Sequence, residues 1–86
     1  MEIDHEAEKF PYQQLYDLLR QRIISGDIPP GRRIPSLVTI QQETGLATDT
    51  MRRAIRLLAD DGLVRVIPGR GTFAASEMPR QPPVED

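Results

Sequence analysis

Arg52, Arg53 and Arg56 follow Asp49 at i+3, i+4 and i+7, the spacing that places four side chains on one face of a helix. A guanidinium is a planar fork that can grip phosphate oxygens two at a time, so this face has the chemistry to meet a polyanion. Arg52 and Arg56 lie one turn apart and repel each other by about a few tenths of a kcal/mol, a strain that an anion lying opposite would relieve. The same residues admit two intrahelical pairs, Asp49 with Arg53 and Arg56 with Asp60, which would leave an ordinary solvated face. A further cation, Arg70, sits between Gly69 and Gly71 in PGRGT. The bare backbone there can approach a phosphate or enter a narrow groove, although a simple hairpin turn also uses glycines. A nucleotide-binding phosphate loop is excluded, since its glycine spacing, its lysine and its following helix are all missing.

Catalysis has little to draw on. His5 is the sole histidine and stands between Asp4 and Glu6, there is no cysteine, and no two carboxylates sit where helices would converge. An enzyme, a metal centre and a cofactor are therefore not expected, and His5 is expected to be solvated. The 86 residues carry a net charge of -2, but the charge is unevenly placed. Residues 1–10 hold four acids against one lysine, whereas residues 11–75 hold nine arginines against six acids. The arginine-rich middle points to an anionic partner. Its length fits one small domain with a modest core. The apolar runs are far shorter than the roughly 20 residues a membrane span requires, and no signal segment opens the chain, so a cytoplasmic location is expected.

These side chains need elements to hold them. Pro11 can open a helix, and Leu15, Leu19 and Ile23, with Tyr12, Tyr16 and Leu18 nearby, recur at helical spacing up to Gly26, predicting a helix over about 12–25. GDIPPGRRIPS then forbids helix, and Ser36 offers an N-cap to a second helix over about 36–44 that stops at Gly45. From Thr48 to Asp61, Met51, Ala54, Ile55 and Leu58 form an apolar stripe opposite the arginine face, and Gly62 ends this third helix. LVRVI, a PGRG turn and TFAA predict a hairpin with Arg70 at its tip. Residues 1–10, acidic and lacking a helical face, and the proline-rich residues 76–86 are expected to be disordered tails around one domain at 11–75. The fold class is α+β, mainly α: a winged helix-turn-helix of three helices followed by a two-stranded hairpin.

The segments YQQLYDLLRQRIISGDIPPGRRIPS and TGLATDTMRRAIRLLADDGLVRVIPGRGTF resemble the DNA-binding domain of the GntR (gluconate-repressor type) transcriptional regulators. The likeness spans about residues 11–75 and rests on Tyr12, Gly26, Pro30, Gly31, Pro35, Ser36, Gly45, Thr50, Arg52, Gly62, Gly69, Gly71 and Phe73, among others. It implies that the third helix enters the major groove of duplex DNA and the wing tip the adjacent minor groove. By that likeness Ser36, Thr50 and Arg52 contact DNA, with Arg70, Gly71 and Thr72 at the wing. Arg33, Thr48, Asp49, Arg53 and Arg56 complete the expected DNA-facing set. Family members usually carry an arginine two residues after the Pro-Ser serine and a Ser-Arg pair opening the third helix, where this chain has Val38, Ala47 and Thr48. Arginine-to-guanine contacts each contribute roughly 1–3 kcal/mol of discrimination, so a different operator or a lower specificity is expected.

The function expected is sequence-specific regulation of transcription without the effector domain that family members usually carry. The protein would be mainly monomeric in solution and pair on palindromic or repeated half-sites. The alternative is a winged-helix adaptor that binds another protein, which exposed leucine or aromatic side chains on the third helix would favour.

Overall fold

The computed structural model describes residues 1–76; the expected C-terminal tail falls, beyond Ser76, outside the described residues. Helix α1 spans Pro11–Ile24 and starts on a proline, whose missing N–H is not needed in the first turn. Helix α2 spans Leu37–Thr44. Ser36 caps it as expected, its Oγ accepting the Thr39 N–H at 3.1 Å. The helix ends where Gly45 takes φ of +74° and returns its N–H to the Gln41 carbonyl at 2.7 Å. Helix α3 spans Thr48–Asp60, and its N-cap, Ala47, has no side chain able to accept a hydrogen bond. Strands β1 (Val64–Ile67) and β2 (Gly71–Ala74) form an antiparallel pair with Val64 opposite Ala74 and Ile67 opposite Gly71.

The apolar stripe of α3, Met51, Ala54, Ile55 and Leu58, is buried and packs mainly against Leu15, Leu19 and Ile23 of α1. Ile40 from α2, Ile28, Ile34, Leu46 and Leu63 from the connections, and Val64 and Ala74 from the sheet close the core. Each fully buried leucine contributes roughly 1.5–3 kcal/mol of transfer free energy, and this core holds the polar face of α3 outward. No buried side-chain nitrogen or oxygen among the described residues lacks a hydrogen-bond partner.

Two features differ from the sequence expectation. The hairpin gains a third edge, because residues 31–34 run alongside β2. Gly31 N–H donates to the Ala74 carbonyl at 3.0 Å, Ala74 N–H to the Arg32 carbonyl at 2.8 Å, and Ile34 N–H to the Thr72 carbonyl at 2.9 Å. Residues 1–10, expected to be a disordered tail, instead lie on α1 and α2. Met1 and Ile3 pack against the core, and the Gln14 amide clamps the segment. Its Oε1 accepts the Asp4 N–H at 2.8 Å, while its Nε2 donates to the Asp4 and Lys9 carbonyls, also at 2.8 Å. His5 is exposed, as expected, but also donates from Nε2 to the Thr44 carbonyl at the end of α2, at 3.0 Å. Two apolar side chains, the Gln14 amide and the His5 bond dock a segment that has no helical periodicity.

Candidate nucleic-acid interface

On α3 the exposed positions are Thr48, Asp49, Arg52, Arg53, Arg56 and, at its last residue, Asp60, with Thr50 half-buried, so the face expected from the spacing is presented to solvent. The two intrahelical ion pairs that could have neutralised it do not form. Among the described residues the ion pairs are Met1 with Glu43, Lys9 with Asp17 and Arg22 with Asp27, none of which involves a residue of α3. Arg52 and Arg56 thus stand one turn apart without a carboxylate partner among the described residues.

Arg53 is different. Its guanidinium carbon lies 3.8 Å from the centroid of the Tyr12 ring, and Tyr12 stacks in turn on Phe10 with ring centroids 6.1 Å apart. This cation–π contact holds Arg53 at the seam between α1 and α3, at the edge of the arginine face. The sequence carried no signal for it, because the two residues are brought together only by the α1–α3 crossing. A second tie along the same seam joins Tyr16, which donates to Asp61, just past the end of α3. That bond, helped by burial and by the negative charge of Asp61, raises the phenol above its usual range.

The remaining site residues gather elsewhere. A cleft of about 350 Å³ between the wing and the start of α2 is lined by Arg33, Ser36, Ile55, Arg70, Gly71 and Thr72, among others. It brings together five of the expected DNA-facing residues from two stretches of chain, with Ile55 of α3 also in its lining. Ser36 is already engaged in capping, with its Oγ also donating to Thr39 Oγ1 at 3.1 Å. The wing turn is closed by the Arg70 N–H donating to the Ile67 carbonyl at 2.9 Å, which leaves the Arg70 side chain exposed at the tip. Arg33 is exposed, and its guanidinium donates to the Arg70 carbonyl and lies over the Phe73 ring.

Among the described residues the large hydrophobic side chains left exposed are Phe10, Ile24, Val38 and Val66, none of them on α3. The feature that would favour a protein-binding adaptor is therefore missing from that helix. No group of three His, Cys, Asp or Glu among the described residues converges to hold a metal ion, and no helix among them is long and apolar enough to cross a membrane.

Comparison with known proteins decides what this arrangement belongs to. The model of the family described as bacterial regulatory proteins, gntR family, matches residues 11–74. The chain belongs to the gntR family. This gntR-family chain is 33% identical over 66 residues to the mannosyl-D-glycerate transport/metabolism system repressor MngR of Escherichia coli, covering 77% of this chain and 28% of that protein. It is 38% identical over 64 residues to the histidine utilization repressor of Pseudomonas putida, covering 74% of this chain and 26% of that protein. The chain thus spans about a quarter of the length of these curated relatives. Among solved structures, AraR(DBD) in complex with operator ORE1 superposes with a TM-score of 0.72 at 34% identity, over 74% of this chain and 78% of that one. Three helices and an antiparallel pair of strands in this order are the winged helix-turn-helix of that family.

Proposed function

We propose that this gntR-family chain binds duplex DNA as part of a transcriptional regulator, with α3 in the major groove and the wing tip at the adjacent minor groove. The observation that carries the reading is the outward face of α3, where Arg52 and Arg56 repel each other without a carboxylate partner among the described residues, an arrangement that a phosphate or a guanine edge would relieve. The likeness to AraR(DBD), a domain in complex with an operator, supports it.

On this reading Arg52 reaches a base edge or its flanking phosphate, and Arg56 grips phosphate farther along the helix. Thr48, Asp49 and Thr50 occupy the first turn of α3, whose N–H groups receive no side-chain cap and point toward the backbone of DNA. Arg70 enters the minor groove beside Gly71 and Thr72, and Ser36 lines the cleft behind them. Arg53 borders the groove from its seat on Tyr12. Val38, Ala47 and Thr48 carry no guanidinium, so the operator differs from those read by arginine at these places. The chain acts in the cytoplasm, carries no catalytic centre, and pairs on repeated half-sites.

The test is fluorescence anisotropy of the chain with a labelled duplex at rising salt. Three to six arginine–phosphate contacts per protomer give a slope of log affinity against log salt of about -3 to -5, at about 0.9 per contact. A flat response, or no binding at low salt, refutes the proposal.

A further inference from the structure

We infer that Arg33 serves DNA binding without touching DNA: it is a positioning residue that holds the wing tip in place from within the protein. The inference rests on the DNA reading above and deepens it by assigning a role to one residue of that surface.

The wing needs such support. Its strands are four residues each, and a two-stranded hairpin is marginal in water on its own. The inner ends, Val64 and Ala74, are buried in the core, but toward the tip Val66 is 57% exposed and Pro68, Gly69 and Arg70 lie in solvent. Apolar packing therefore anchors the base of the hairpin and leaves its tip unsupported. Arg33 reaches across this gap. Its Nη2 donates to the Arg70 carbonyl, a charge-assisted bond to the main chain of the tip residue itself. Its guanidinium carbon also lies 5.6 Å from the centroid of the Phe73 ring. The backbone that carries Arg33 is fixed on both sides, by the Arg32 carbonyl accepting from Ala74 and the Ile34 N–H donating to Thr72.

Gly71 fits this assignment. Its φ of +124° disfavours any side chain, and a Cβ placed there would come within 3.1 Å of Arg33 Nε. The bare backbone at Gly71 is thus the seat on which the Arg33 side chain lies, so this glycine has a role inside the protein beside any approach to DNA.

A free phosphate-gripping arginine and a brace predict different couplings. With the full chain, Arg33→Ala and Arg70→Ala are each expected to weaken binding about tenfold, and the double variant no more than about twofold beyond Arg70→Ala, because the wing contribution is lost only once. Arg33→Ala combined with Arg52→Ala multiplies the two separate effects. In the Arg70→Ala background, adding Arg33→Ala leaves the salt slope unchanged, whereas a phosphate contact made by Arg33 itself would reduce it by about 0.9. Multiplying losses for Arg33 with Arg70, together with that drop in slope, overturn the inference in favour of direct contact. A readout without DNA keeps the two proposals apart. Amide hydrogen exchange of the Arg70 N–H is expected to speed up several-fold in Arg33→Ala while the amides of α1 and α3 stay protected. Unchanged exchange at Arg70 overturns the brace even if the parent binds DNA. A parent that fails to bind DNA overturns the DNA reading, and with it this role, whatever the exchange shows.

Discussion

Removing Arg52 should move stability and DNA affinity in opposite directions. Arg52 is exposed on α3, has no carboxylate partner among the described residues, and faces the like charge of Arg56 one turn away. In the free protein Arg52→Ala relieves a repulsion of about 0.2–0.5 kcal/mol and substitutes the residue with the best helix propensity. For a domain of this size 1 kcal/mol corresponds to about 4–8 °C, so the melting temperature should rise by about 1–4 °C. DNA binding should fall instead. A guanidinium that reaches a base edge or a flanking phosphate contributes about 1–3 kcal/mol, so the dissociation constant for a selected site should increase by about 5- to 150-fold. The site would come from selection on random duplexes, affinities from fluorescence anisotropy at fixed salt, and stability from thermal unfolding by circular dichroism. A variant that melts several degrees below the parent would show that Arg52 has a structural partner, and the argument from unrelieved repulsion would fail. A variant that stays folded and binds within twofold of the parent would remove α3 from the DNA surface.

Two other outcomes follow from particular contacts. Tyr16→Phe deletes the bond to Asp61 and should cost about 0.5–1.5 kcal/mol in urea unfolding at neutral pH. Because the folded-state pKa of Tyr16 is raised, its contribution is fully present below the unfolded value of 10.0 and is lost as pH rises through the folded value, so the gap between parent and variant should narrow in alkali; a constant gap would refute the assigned cause. Sedimentation velocity at micromolar concentration should find mainly monomer, with two protomers assembling on a duplex that holds two half-sites. Stable dimers without DNA would contradict this.

The order of elements was legible because the signals that set it are local. Pro11, the Ser36 cap, Gly45 and the i, i+3, i+4, i+7 stripe of Met51, Ala54, Ile55 and Leu58 act within one or two helical turns, so reading along the chain recovers α1, α2 and α3 to within a residue at each end. The arginine face of α3 followed from the same periodicity, since burying one stripe leaves the opposite one in water. What the side chains on that surface do was decided by the tertiary structure. Arg33 meets the Arg70 carbonyl across 37 residues, and Arg53 meets Tyr12 only where α3 crosses α1. The docking of residues 1–10 likewise depends on where Gln14 and Thr44 are held by other elements. Residue type and spacing tell which groups can bind an anion, an aromatic ring or a carbonyl. Which of these each group meets depends on how distant segments pack, and that is settled only when the whole core is buried at once.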